Sequence, residues 1–222
     1  MIFMKVKFLP YKCCRGIDNM ALDERMLNDA IKEEHNYGTA RFYSWSPKCI
    51  SLGKSQKNIE FEKFDIDVVY RVTGGRALLH DKELTYCFVG PLDETKSIIE
   101  SYKNISNALI LGFKKLGIEL DYASNRSKNL KYCMNISCGA DVSYMGKKLI
   151  GSAQFRSRGY VLQHGSILFD ADFSLIEKIF GQKVERDNII TMKEINPDIT
   201  KEDLIKALEY GFEENFKHQN LV

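Results

Sequence analysis

No apolar run in this chain approaches the roughly 20 residues that a membrane-crossing helix needs. The N-terminal stretch MIFMKVKFLPYKCCRG has neither an unbroken apolar core nor a small-residue cleavage site, so it does not read as a secretory leader. Internal repeats and low-complexity linkers are missing as well. There is almost no excess of charge: 32 Lys and Arg stand against 30 Asp and Glu, a formal +2. That argues against a general nucleic-acid binder, which carries a clear basic surplus. The six cysteines form no paired Cys-x-x-Cys motif, which argues against a structural zinc site. These absences describe a cytoplasmic chain without nucleic-acid or membrane partners, whose cysteines are free thiols, mostly small buried hydrophobes.

What remains is the composition of an ordinary globular protein, 44% apolar and 28% charged, long enough for one large domain. Residues 3–9 predict a strand, and DNMALDERMLNDAIKEE predicts a helix capped by Asp18 or Asn19, with Met20, Leu22, Met26, Leu27, Ala30 and Ile31 as its apolar face. ARFYSWSPKCISLG predicts two strands broken at Pro47. DVVYRVTGG reads as a strand running into a glycine turn, and ALLHDKELTYCFVG as its return. The longest helical pattern spans residues 94–117 and closes at Gly117. ADVSYMGKKLIGSAQ predicts a hairpin turning near Met145–Lys147, and YVLQHGSILFD another strand. Two helical stretches, SLIEKIF and TKEDLIKALEYGFEENF, complete the tail, the second opened by Thr200 and Asp203. The sum is α+β, with several antiparallel strands and helices packed against them.

Two stretches carry residues suited to chemistry. In RVTGGRALLH, Gly74 and Gly75 sit between Thr73 and Arg76 with Arg71 upstream. Such a loop either makes an ordinary turn or aims successive backbone N–H groups at an anionic or polar ligand. In the second stretch, Lys147 and Lys148 precede the small residues Gly151, Ser152 and Ala153, and Gln163, His164, Gly165 and Ser166 follow. Small residues let a ligand approach a sheet closely. The plain alternatives are a solvated hairpin for the lysines and a hydrogen-bonded core position for His164.

Taken in order, NMALDERML, RFYSWSPKCISLGKSQ, RVTGGRALLHDKELTY and GKKLIGSAQ…LQHGSIL resemble the lipoate-protein ligase and octanoyltransferase family, which shares its catalytic fold with biotin-protein ligases. The likeness runs from residue 19 to about residue 170 and continues more weakly through EYGFEENF. It implies a mixed, largely antiparallel sheet flanked by helices, formed by residues 1–222 as one catalytic domain without a C-terminal accessory domain. It further implies an acyl tunnel built from Arg71, Thr73, Gly74, Gly75, Arg76 and His80 of the first stretch. Gly151, Ser152, Ala153, Gln154, His164, Gly165 and Ser166 of the second stretch complete that tunnel. Lys148 aligns with the lysine that contacts the acyl carbonyl or activated phosphate.

The family runs two chemistries. Ligases activate free lipoate with ATP and Mg; transferases take octanoyl from acyl carrier protein as a cysteine thioester and need no cofactor. Both deliver the acyl group to a lysine of a lipoyl domain, such as glycine cleavage H protein or a 2-oxoacid dehydrogenase E2. In the cysteine-dependent octanoyltransferases, which this sequence most resembles, the nucleophile lies 18 residues before the glycine of Gly-Ser-Ala-Gln, a position held here by Cys133; Cys138 is the second candidate. A cysteine keeps the acyl group activated without ATP, and a nearby lysine favours its thiolate. The resemblance departs at Tyr70, where an arginine is usual, and at Ala140, where ligases pair Asn with the residue matching Asp141. Both departures weaken adenylate chemistry, which needs donors and metal to hold phosphate. The expected activity is octanoyl transfer, with an ATP-dependent ligase or an inactive acyl- or carrier-binding relative as alternatives.

Overall fold

A computed structural model describes residues 4–57, 61, 64–123 and 141–217. The chain runs β1 (Val6–Cys14), α1 (Gly16–Lys32), β2 (Gly38–Trp45), β3 (Cys49–Leu52), β4 (Asp67–Tyr70), β5 (Leu78–His80), β6 (Leu84–Pro91) and α2 (Ile98–Lys115). It continues with β7 (Asp121–Tyr122), β8 (Val142–Tyr144), β9 (Lys147–Ser157), β10 (Tyr160–Ile167), α3 (Phe173–Phe180), α4 (Met192–Ile195) and α5 (Lys201–Lys217). Among the described residues, seven strands form a sheet in the order β1-β2-β6-β10-β9-β8-β7, and three form a smaller sheet, β4-β3-β5. The β1–β2 and β3–β4 pairs are parallel; the other pairs are antiparallel. The expected mixed, largely antiparallel α+β fold is the one found.

Side chains alternate between the faces of the large sheet. On one face, Phe88 of β6 stacks on Phe212 and Phe216 of α5, with ring centroids 5.6 and 4.9 Å apart. Burying each such ring stabilises the fold by about 1.5–3 kcal/mol relative to exposure. α2 packs against α5. Ser97 and Glu100 open α2 with a reciprocal capping box, so it begins at Ile98 rather than at residue 94. On the opposite face, α1 lays Met20, Met26, Leu27 and Ala30 over Tyr43, Cys87, Val89 and Leu162.

Two local expectations need correction. Neither Asp18 nor Asn19 caps α1: Arg15 holds that place without a side-chain bond. The Asn19 amide instead donates inward to the carbonyls of Cys14 and Ser44. The segment from Ala77 to Gly90 is not one strand. It breaks after His80, and β5 and β6 join different sheets, because the Glu83 carboxylate turns back to accept the Asp81 N–H at 2.8 Å. The two strands expected on either side of Pro47 are found, one in each sheet. The hairpin around Met145 and Gly146 and the Thr200–Asp203 start of α5 stand where the sequence places them.

Candidate active site

The glycine loop leaves β4 and is held from below. Gly75 takes a positive φ of 99°, which favours glycine, and a Cβ there would lie 2.8 Å from Arg71 Nη2. Gly74 has no such constraint and no atom within 4 Å of its would-be Cβ. Arg71 is buried rather than near solvent. Its guanidinium donates to the carbonyls of Gly74 (3.0 Å) and Arg76 (2.7 Å), and to both the carbonyl and the hydroxyl of Ser51 (3.1 and 3.0 Å). Arg71 thus binds the loop itself. Tyr70, at the position where an arginine is usual, is exposed.

The second stretch forms the adjoining wall. In the β9–β10 ladder Gly151 faces Ser166, Ser152 faces Gly165 and Ala153 faces His164; β10 in turn pairs Ser166 with Thr85 and His164 with Cys87. Cross-strand partners share a face. The small side chains at Gly151 and Ala153 therefore leave room beside His164 and Ser166, under the smaller sheet and α1. That room is a cavity of about 70 Å³. Arg71, Gly75 and His80 line it from the first stretch, and Gly151, Ser152, Ala153, His164, Gly165 and Ser166 from the second. Met20, Trp45, Ser51 and Thr85 join them. Thr73, Gly74, Arg76, Gln154 and Lys148 stand outside this lining. Gln154 belongs to a different network: its amide donates to Gln163, whose amide donates to the Tyr86 hydroxyl. Ser166 Oγ is buried with no hydrogen-bond partner among the described residues, so a polar atom waits in the cavity wall.

Two acid–imidazole–hydroxyl chains flank the cavity. In the first, Asp23 of α1 accepts from His164 Nδ1 at 2.9 Å, and His164 Nε2 meets Thr73 Oγ1 at 2.8 Å. Arg41 donates to the same carboxylate at 2.8 Å, and the Tyr43 hydroxyl donates at 2.9 Å. Burial acts most strongly on Asp23 and opposes its charge, yet the His164 bond, Arg41 and the Tyr43 hydroxyl together hold its carboxyl below the ordinary range. In the second, Glu83 Oε1 meets His80 Nδ1 at 2.5 Å, and His80 Nε2 meets Ser51 Oγ at 2.7 Å. Burial is again the largest influence on Glu83, and His80 with the Asp81 N–H outweighs it to keep the carboxyl low. Burial depresses the proton affinity of His80; Glu83 opposes this, while Arg71 and His164 add to it. Trp45 stacks on the His80 ring at 3.8 Å and 18°, which fixes its plane.

The sequence model of the lipoyl protein ligase A/B catalytic domain matches residues 16–213. The chain belongs to this family. Curated relatives include the octanoyltransferase LipM of Carboxydothermus hydrogenoformans, 34% identical over 97% of this chain and 89% of the relative. The octanoyltransferase LipM of Clostridioides difficile is 37% identical over 95% and 88%. Among solved structures, lipoate-protein ligase A bound with ATP matches with a TM-score of 0.75 at 19% identity, over 96% of this chain and 85% of that one. A bipartite lipoate protein ligase from Thermoplasma acidophilum matches with a TM-score of 0.71 at 21%, over 97% and 84%. At these identities the structural likeness is one of fold.

Within this lipoyl ligase-type domain, Lys148 is buried and its ammonium pairs with Asp141 Oδ2 at 2.7 Å, while Lys147 is half-buried. Asp141 Oδ1 also accepts the Ser152 N–H at 3.3 Å, which ties the lysine to the cavity wall. Cys133, Cys138 and Ala140 lie outside the described residues. Of the interior thiols that are described, Cys49 and Cys87 are pushed well up by burial and by nearby carboxylates, which makes them poor nucleophiles. No described helix is long and apolar enough to cross a membrane. Among the described residues, no cluster of three His, Cys, Asp or Glu could hold a metal ion. Sequence reasoning missed Asp23, Ser51 and Glu83. Asp23 had a signal: it falls three residues after Met20 and four before Leu27, on the apolar face of α1, where a carboxylate needs a buried partner.

Proposed function

We propose that this chain is an octanoyltransferase of protein lipoylation, acting in the cytoplasm. An octanoyl thioester of acyl carrier protein binds at the cavity. The Cys133 thiolate attacks its carbonyl, a new C–S bond forms, and the carrier thiol leaves. A lysine amine of a lipoyl domain then attacks the enzyme thioester and carries the acyl group away as an amide, freeing the thiol. Thioester energy drives both steps, so the reaction needs no nucleotide. Lys148, on the strand that leads into Gly151, is the group we assign to favour the thiolate.

The single observation that carries this reading is the identity of 34–37% to octanoyltransferases LipM over at least 95% of the chain. The small-residue cavity between the glycine loop and the β9–β10 ladder supports it as an acyl site. Intact mass after incubation with octanoyl carrier protein tests it. An octanoyl adduct that hydroxylamine removes, and that Cys133→Ala abolishes while Cys138→Ala retains, is the expected result. No adduct on the wild type, or an adduct surviving in Cys133→Ala, overturns it.

A further inference from the structure

We propose that Ser51, held by His80 and Glu83, accepts the proton of the lysine amine during the transfer half-reaction. The inference rests on the transferase reading above and adds to it a base for nitrogen. A lysine ammonium has a pKa of about 10.4, so attack requires that a proton leave the amine. Lys148 is already committed to Asp141.

The hydrogen positions around Ser51 follow from donor rules. A carboxylate only accepts and a guanidinium only donates. Glu83 is ionised, so His80 Nδ1 carries the proton that bridges them at 2.5 Å. In the neutral ring Nε2 is then an acceptor, and Ser51 Oγ, 2.7 Å away, must donate to it. Arg71 Nη1 donates to the same oxygen at 3.0 Å, which polarises the hydroxyl and occupies one of its two lone pairs. The other lone pair belongs to an atom on the cavity wall, and there a proton from a bound amine can land. Thr73, the hydroxyl of the other chain, does not line the cavity. The groups that face His80 are Glu83, Ser51, Arg71 and His164, with Trp45 on its ring, while Lys201 Nζ reaches the Glu83 carbonyl at 2.9 Å.

The step balances without a further reactant. The amine nitrogen bonds to the acyl carbon, and the C–S bond to the enzyme breaks with its electron pair going to sulfur. The lysine ammonium first gives one proton to solvent; as the resulting neutral amine attacks, its N–H proton moves to Ser51 Oγ and the Ser51 proton moves to His80 Nε2. The imidazolium faces Glu83 until it returns the proton to the thiolate.

The test separates nitrogen from sulfur acceptors. Enzyme carrying the octanoyl thioester is mixed in single turnover with a lipoyl domain or with 2-mercaptoethanol, whose thiolate needs no base at nitrogen. In Ser51→Ala, His80→Gln and Glu83→Gln, transfer to the lipoyl domain should slow about 100-fold or more relative to the thiol chase. Raising the pH toward the amine's own value of about 10.4 should recover part of that loss. Ser51→Ala leaves the His80–Glu83 pair in place, and its thermal midpoint reports any unfolding. Equal slowing of both chases would make the chain a brace for Arg71 and the loop, and overturn the proposal. Unchanged amine transfer in Ser51→Ala overturns it as well. A wild type that forms no thioester overturns the transferase reading first and this inference with it.

Discussion

The two acid–imidazole–hydroxyl chains beside the cavity are built from the same parts and differ in where the arginine sits. In the Asp23–His164–Thr73 chain, Arg41 bonds to the acid. In the Glu83–His80–Ser51 chain, Arg71 bonds to the hydroxyl. A cation on the acid neutralises a buried charge and ties α1, β2, β10 and the glycine loop together. A cation on the hydroxyl polarises that O–H and leaves the carboxylate without an arginine, to the imidazole, backbone N–H groups and a long 3.5 Å bond from the Thr85 hydroxyl. The first arrangement suits a brace, the second a proton relay. The hydroxyl ends agree, since Ser51 lines the cavity and Thr73 does not.

The largest expected difference is in stability. Asp23→Asn leaves the Arg41 guanidinium, 3% exposed, without its carboxylate. Breaking a buried pair from one side costs about 3–5 kcal/mol. Glu83→Gln strands no arginine and keeps an acceptor for the Asp81 N–H, so it should cost about 1–2 kcal/mol. Urea denaturation of both variants measures this. Equal losses would remove the distinction between brace and relay.

The sequence made some of this legible and hid the rest for physical reasons. The β8–β9 hairpin shows in its turn residues around Met145 to Lys147. The motifs that place Gly75, Gly151 and His164 at one cavity are readable because their small residues stand out. The division of residues 77–90 between two sheets is harder to read: the polar run His80 to Glu83 hints at a turn, but nothing in it says that the strands on either side join different sheets, and the turn depends on a side-chain bond from Glu83. The acids are hidden differently. Asp23 stands in a charged run with Glu24 and Arg25, and only its place on the apolar face of α1 hints that it alone is buried. Arg71 looks like a ligand-facing cation, and only its hydrogen bonds to Ser51, Gly74 and Arg76 reveal that it serves the loop.

A second, smaller contrast lies inside the loop to which Arg71 binds. Gly75→Ala forces a side chain into a positive φ and toward Arg71 Nη2, 2.8 Å from the new Cβ. Strain of this kind costs about 1–3 kcal/mol, and a displaced Arg71 would release Ser51 too. Gly74→Ala meets open space at an ordinary φ, and its change in stability should stay within about 0.5 kcal/mol. Thermal midpoints of the pair decide this, and similar losses at both positions would mean that Arg71 does not set the loop.

The smallest effect is a shift in where acid begins to act. Asp23 and Glu83 have folded carboxyls below their ordinary values. Their contributions are complete above the unfolded values of about 3.9 and 4.3 and are lost as pH falls through the lower folded ones. Burial also lowers His80. The unfolded chain then binds a proton near pH 6.5 that the folded ring refuses, so this contribution is present above about 6.5 and declines as pH falls. One such proton changes stability by at most about 1.4 kcal/mol per pH unit. The wild type should therefore start to lose stability near pH 6.5, well before its carboxylates titrate. His80→Gln should hold level until the carboxylate range, whereas Asp23→Asn should keep the early onset. Denaturation midpoints between pH 7.5 and about pH 4, the lower limit set by the ordinary carboxylate values, separate these cases. An early onset that persists in His80→Gln would place the responsible proton elsewhere and remove the ground for a neutral His80 able to accept from Ser51.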